Sequence, residues 1–270
     1  MHIQFFSSLW GMPETTLEAS FKLSKEAGYD GVEMSIPLDA DRRRTVQQLL
    51  AEFDLELILI LHSSGATPKD HADDLTRLLG FAAELQPVLV NSQSSRDFFP
   101  IKESVRVIKQ ANNRAARLGL PLVHETHRAR AMFSLPATLA ILDAIPDLRV
   151  TADLAHLCMV HGTYMQDQIE SLNRVLERCH YIHARVGHPE GGQVAEPRAP
   201  EWQQAVEYYL GWWRQIVESR RKEGVEVFPI TTEFGPPEYM PTLPYTRQPV
   251  ANLWEINLWM RDTLKYRLQT

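Results

Sequence analysis

Four residues spread along the chain, Glu125, Asp153, His183 and Glu233, are of the types that hold a divalent cation: hard carboxylate oxygens and one imidazole. A set of this kind, free of thiolates, suits Mn²⁺, Mg²⁺, Co²⁺ or Zn²⁺ and differs from a structural zinc site. Carboxylates beside such an ion can also move protons. A C–H bond next to a ketone is too weakly acidic for a carboxylate to break unaided. An ion that chelates the carbonyl and a neighbouring hydroxyl stabilises the enediolate as its charge develops. If the proton returns from the other face the result is epimerisation; return to the adjacent carbon gives aldose–ketose isomerisation.

Each of these residues stands within or directly after a short apolar run. The runs are residues 3–7, 31–35, 55–61, 88–91, 121–125, 149–152, 181–186 and 225–233. Several are continuously apolar, as in Leu57-Ile58-Leu59-Ile60-Leu61, the pattern of parallel strands covered on both faces. Between them lie segments with helical spacing, for example Leu75, Leu78, Leu79, Ala82 and Leu85, or Ile101, Val105, Ile108, Ala115 and Leu118. Pro13 and Pro100 precede helices and Gly28, Gly119 and Gly224 follow them. A βα unit takes about 30 residues, so eight of them nearly fill the chain. The expected fold is α/β, a single (β/α)8 TIM barrel formed by residues 1–270 as one domain.

In such a barrel the C-terminal strand ends converge on one pocket. Those positions are strongly polar here: His62, Asn91 and Gln93, then Glu125 and His127, Asp153 and His156, His183 and Arg185, and Glu233. Side chains alternate along a strand, so Glu125 shares a face with His127, and His183 with Arg185. Two long Pro-rich loops, residues 187–200 and 235–249, leave strands seven and eight on the same side. They carry His188, Tyr239 and Tyr245. Arg185 and His188 suit a hydroxyl-rich or anionic substrate, Tyr245 or Tyr239 could cover it, and Trp10 could stack on a sugar ring.

The order Glu125, Asp153-x-x-His156, His183-x-Arg185 and Glu233 resembles the xylose isomerase-like superfamily of barrels, and within it the tagatose and psicose 3-epimerase branch. The resemblance spans essentially the whole chain. It implies that Glu125, Asp153, His183 and Glu233 bind one divalent metal ion and that Glu125 and Glu233 form the catalytic acid/base pair. It also implies that His156 and Arg185 hold substrate hydroxyls. His62, His127, His188, Trp10 and Tyr245 complete the expected substrate-binding set. The loop residues 188–193, the segment 239–245 and His127 depart from the well-characterised ketose 3-epimerases, and all lie on the substrate side.

Other classes fit less well. With 28 Lys+Arg against 34 Asp+Glu, the net charge of -6 lacks the basic footprint of a nucleic-acid binder. An endonuclease IV-type repair enzyme matches at His62, Glu125, Asp153, His156, His183 and Glu233. It also needs a His on the fourth strand and an Asp-x-His pair after the seventh, which this chain does not offer. A lyase acting on a keto-sugar, keto-glycoside or inosose would keep the metal and base, and a non-catalytic sugar-binding barrel would keep the fold. The N-terminus has no basic leader followed by an apolar run, and no apolar stretch reaches the roughly 20 residues of a membrane span. Cys158 and Cys179 read as unpaired thiols. The expectation is a cytoplasmic isomerase or epimerase with a small sugar substrate, no nucleic-acid or membrane partner, and a possible homo-oligomeric state.

Overall fold

A computed structural model describes residues 1–12 and 15–268. Eight parallel strands close into a barrel in sequence order, β1 (His2–Ser8), β2 (Gly31–Ser35), β3 (Glu56–His62), β4 (Leu89–Gln93), β5 (Leu122–Glu125), β6 (Val150–Ala152), β7 (Cys179–Ala184) and β8 (Val227–Thr232). Closure comes from the pairing of β1 with β8, in register from His2 opposite Val227 to Ser7 opposite Thr232. This is the single (β/α)8 barrel that the periodicity predicts.

The helices form an outer layer: α1 (Leu17–Glu26), α2 (Ala40–Phe53), α3 (Pro68–Leu85), α4 (Ile101–Leu118), α5 (Leu135–Ala144), α6 (Leu154–His161), α7 (Ile169–Leu176), α8 (Gln203–Lys222) and α9 (Leu253–Leu268). Their ends follow local chemistry. Thr67 and Asp70 make reciprocal capping bonds at the start of α3, with Pro68 in its first turn. Pro100 precedes α4, and Gly119 closes it at φ +68°. The helix start inferred at Pro13 lies outside the described residues.

Inside the barrel, Phe6, Ile58, Leu89, Val123 and Tyr181 pack into an apolar floor. Two larger apolar clusters lie between strands and helices, one on the β2–β4 side and one dominated by β6–β8 and α5–α9. Cys158 and Cys179 are free and buried. Among the described residues no helix is long and apolar enough to cross a membrane. The run Arg42-Arg43-Arg44, which by its charges alone reads as a solvated helix start, opens α2 with its middle residue turned inward. Arg43 is buried, donates to the Pro37 and Leu38 carbonyls, pairs with Glu84 at 2.7 Å and lies over the Phe81 ring.

Candidate metal centre and substrate cavity

The apolar floor ends where Tyr181 turns its hydroxyl towards the C-terminal mouth. Above it the barrel interior becomes polar, and the side chains there are ordered by hydrogen bonds rather than by packing alone. Alternation along β5 aims His124 outward, between Ser94 and Asn112 at 2.8 Å each, and Glu125 inward. Glu125 is held from below and beside. Thr151 donates to Asn91 Oδ1 (2.7 Å), Asn91 Nδ2 donates to Glu125 Oε2 (2.7 Å), and Gln93 Nε2 lies 3.3 and 3.2 Å from the two carboxylate oxygens.

Asp153 follows β6 and caps α6. Its Oδ1 accepts from the Ala155 N–H at 3.1 Å, which leaves Oδ2 facing the mouth. One turn into α6, His156 lies beside it and accepts from Arg185 Nη2 at 3.0 Å. Arg185 also contacts Asp153 Oδ2, and its guanidinium lies 4.7 Å from the centre of the Tyr239 ring.

His183, on β7, is the hub. Its Nδ1 lies 3.0 Å from Glu233 Oε2, 3.7 Å from Glu125 Oε1 and 4.0 Å from Asp153 Oδ2. All four residues are buried. His183 Nδ1 and Glu233 Oε2 face each other without the alignment of a hydrogen bond, and neither atom finds another hydrogen-bond partner. Buried polar atoms left open in this way are costly unless a further group satisfies them. Four donor atoms of the right hardness around two open positions fit a divalent cation. Within the same region, ligand atoms of Glu125, Asp153 and His183 lie within 4.8 Å of one another, as do those of Glu33, His183 and Glu233, and those of Glu125, His127 and His156.

The environments pull the carboxylates apart. Burial dominates at Glu125 and pushes its carboxyl up to about 8, and it raises Asp153 to about 6 despite Arg185. Burial acts on Glu233 as well, but His183 and Arg185 outweigh it and hold that carboxyl down at about 2. Desolvation opposes the charged form of His183, yet Glu233, Glu33 and Glu125 together raise it well above the ordinary imidazole range.

Glu33 was not among the residues singled out from the sequence. It sits in the middle of β2, 0% exposed, and its Oε1 accepts from His183 Nε2 at 2.9 Å and from the Tyr181 hydroxyl at 2.7 Å. That contact commits the Nε2 proton of His183 to Glu33 and leaves Nδ1 as the atom turned to the centre. One signal in the sequence pointed to it: an acid inside a strand buried on both faces must have a partner.

A cavity of about 250 Å³ opens above the centre, lined by Trp10, Ser35, Ile60, His62, Gln93, Glu125, His127, His156, Arg185, Glu233 and Tyr239. Seven of the expected substrate and acid/base residues therefore meet there: Trp10, His62, Glu125, His127, His156, Arg185 and Glu233. His188 and Tyr245 do not line it. His188 is turned into a tight pairing with Gly191 and packs on Trp202, at 5.0 Å between ring centres. Tyr245 stands fully exposed at the tip of a hairpin closed by Thr242 and Pro249, with φ at +65°. Tyr239 holds the covering position instead, edge-on to Trp10 at 5.1 Å. Gly235 makes room for this wall: a Cβ there would lie 2.1 Å from the Trp10 ring. Its backbone exchanges two hydrogen bonds with buried Gln193, which ties the long seventh and eighth loops together.

Solved structures share this architecture. A D-tagatose 3-epimerase-like protein superposes with a TM-score of 0.68 at 14% identity, covering 98% of this chain and 97% of that one. The probable 3-DHS dehydratase AsbF from Bacillus anthracis gives 0.64 at 14% identity, over 97% and 98% of the two chains. Endonuclease IV from Thermus thermophilus gives 0.59 at 16% identity, over 98% and 99%. Names this diverse at identities this low speak for the fold and leave the chemistry to the site. A sequence search among curated proteins finds no match. The family model described as xylose isomerase-like TIM barrel matches residues 21–194, well over half of the sequence, and the chain belongs to that family.

Proposed function

We propose that this protein is a divalent-metal-dependent sugar isomerase or epimerase that removes a proton from a carbon next to a carbonyl. The observation that carries the reading is the convergence of Glu125, Asp153 and Glu233 on the unpartnered Nδ1 of His183 beneath a single cavity. Glu125, Asp153, His183 and Glu233 would hold the ion. When bound, it supplies the positive charge that stabilises an oxyanion developing beside the deprotonated carbon.

The rest is the work of the chain's own groups. Glu125 and Glu233 both line the cavity and would form the acid/base pair, one taking the proton and the other returning one from its own side. The two reach the space above His183 from β5 and β8, three strands apart round the barrel. His156 and Arg185 border the same space and can orient substrate hydroxyls, while Tyr239 and Trp10 limit the access of water. The same centre would serve an elimination if the carbanion expelled a neighbouring group. The D-tagatose 3-epimerase-like relative supports epimerisation, and the dehydratase relative marks elimination as the second reading.

The test is NMR in D₂O with added Mn²⁺ and a panel of free ketoses, 3-keto sugars and inosose. Deuterium entering the substrate carbon, lost on chelation, supports the reading. New signals from a dehydrated product would favour elimination. The absence of exchange with every member of the panel would contradict proton abstraction.

A further inference from the structure

The N-terminal mouth of the barrel, at the far end from the metal centre, is hollow. Leu89 and Val123, which belong to the apolar floor, also line a second cavity of about 560 Å³ on its other side. That volume falls within the range of about 300–1,000 Å³ usual for ligand pockets. Barrel chemistry takes place at the opposite face, so the reaction proposed above makes no use of this space. Val88, Val227 and Phe228 extend the apolar walls, and Val88 and Val227 remain 42% and 48% exposed.

The charged groups of the lining are sorted to two sides. Arg149, just before β6, His180 on β7 and Arg220 near the end of α8 gather on one. Arg220 is buried. Its Nη1 donates to His180 Nε2 at 3.0 Å, and its Nη2 donates to the Glu177 carbonyl at 2.7 Å and to Glu223 at 2.6 Å, while its Nε finds no acceptor. A buried donor left open is costly unless a further group satisfies it. His180 is a neutral ring, since Nδ1 donates to the Arg178 carbonyl at 3.0 Å and Nε2 accepts from Arg220. Burial, then Arg220 and Arg149, pull its imidazole down to about 4 against the weaker pull of Glu223. The field on this side is therefore positive. Arg149 itself is exposed and forms no ion pair among the described residues. Across the mouth Glu56 opens β3, with Asp30 and Asp54 near it, and there the sign is reversed.

We propose that this hollow is a second binding site, for a small monocarboxylic acid with an apolar body. The carboxylate is held at Arg149 beside Arg220, and the alkyl or aryl part lies against Val88, Val123 and Phe228. Charge limits the ligand to one such group, because a second carboxylate at the far end would meet Glu56. A sugar offers neither the charge nor the apolar body, and inorganic phosphate offers only the charge. The site is independent of the proposed reaction and stands or falls without it.

The experiment is an amide-NMR titration of the isotope-labelled protein, metal-free and Mg²⁺-loaded, with the sodium salts of hexanoate, benzoate, acetate and adipate. Hexanoate or benzoate should bind with a Kd of about 1 mM or tighter, equally with and without Mg²⁺, and shift the amides of Arg149, His180 and Arg220. Acetate lacks the apolar body and adipate adds a charge, so each should bind about ten-fold more weakly than hexanoate. Arg149→Ala should weaken hexanoate by about ten-fold, and Arg149→Lys should recover part of that loss. Four results would overturn the proposal: no binding by hexanoate or benzoate, binding only in the presence of Mg²⁺, acetate or adipate as tight as hexanoate, or parental affinity in Arg149→Ala. Binding only with Mg²⁺ would place the acid at the metal centre instead.

Discussion

Strands β5–β8 bring Glu125, Asp153, His183 and Glu233 to the mouth of the barrel, whereas β1–β4 bring Ser35, Ile60, His62 and Gln93 to the same cavity. One side is charged, buried and mutually coupled. The other is neutral and partly exposed, and its polar groups are oriented in a chain from Ser35 through His62 and Gln93 to Glu125. The difference teaches a division of labour: changes on the charged side should remove the reaction, and changes on the neutral side should alter what is bound. Glu33 is the exception that joins the two, since it arises on β2 and serves His183 on β7.

The largest expected effect is on the charged side. Glu233→Gln and Glu125→Gln keep size but lose the proton-transfer group, so exchange or turnover should drop by about 10²–10⁴-fold. Rates measured on correctly folded variants check this, and parental turnover in either would remove that residue from the acid/base pair.

Glu33→Gln should fall between the sides. It leaves the cavity lining intact but weakens the acceptor that fixes the His183 ring, so metal affinity should fall by about 10–100-fold. Competition with a chelating dye gives the affinity. An unaltered constant would mean that Glu33 serves only the packing around Tyr181.

The charged side should also be sensitive to pH. Because Glu125 is raised to about 8 and Asp153 to about 6, protons compete with the ion, and metal affinity should climb between pH 6 and 8. The same raised groups stabilise the metal-free fold fully below their unfolded values near 4.5 and 3.8, and that contribution is lost as pH rises through their folded values. The metal-free Tm should therefore decline over this window and the metal-loaded Tm should decline less. A flat affinity across pH 6–8 would contradict the assignment of Glu125 and Asp153 to the centre.

Much of this was legible in the sequence because barrel geometry is periodic. Once the runs are read as strands, their ends must converge, and Glu125 must point inward if His124 points out. The β/α order, the cavity and seven of its expected lining residues follow from that. Three points did not. Glu33 lies mid-strand, where alternation says only which face it takes and not that His183 would cross the barrel to meet it. Arg43 reads as one of three adjacent surface charges, and its burial depends on Glu84 and Phe81 from another helix. Tyr239 and Tyr245 differ only in how an aperiodic loop turns, and no spacing rule chooses between them. The structure makes that choice testable at the smallest expected effect: Tyr245→Ala should leave turnover within about two-fold of the parent, as an exposed tip residue would. A larger loss would return Tyr245 to the substrate site.

The central claim is that Asp153 and His183 belong to a metal centre, and calorimetric titration of Mn²⁺ into metal-free protein tests it most directly. The parent should bind one equivalent, and Asp153→Ala and His183→Ala should bind it far more weakly while still folding into the barrel, as circular dichroism would show, because barrel stability resides mainly in its packed layers. One equivalent bound with parental affinity in both variants would contradict the account.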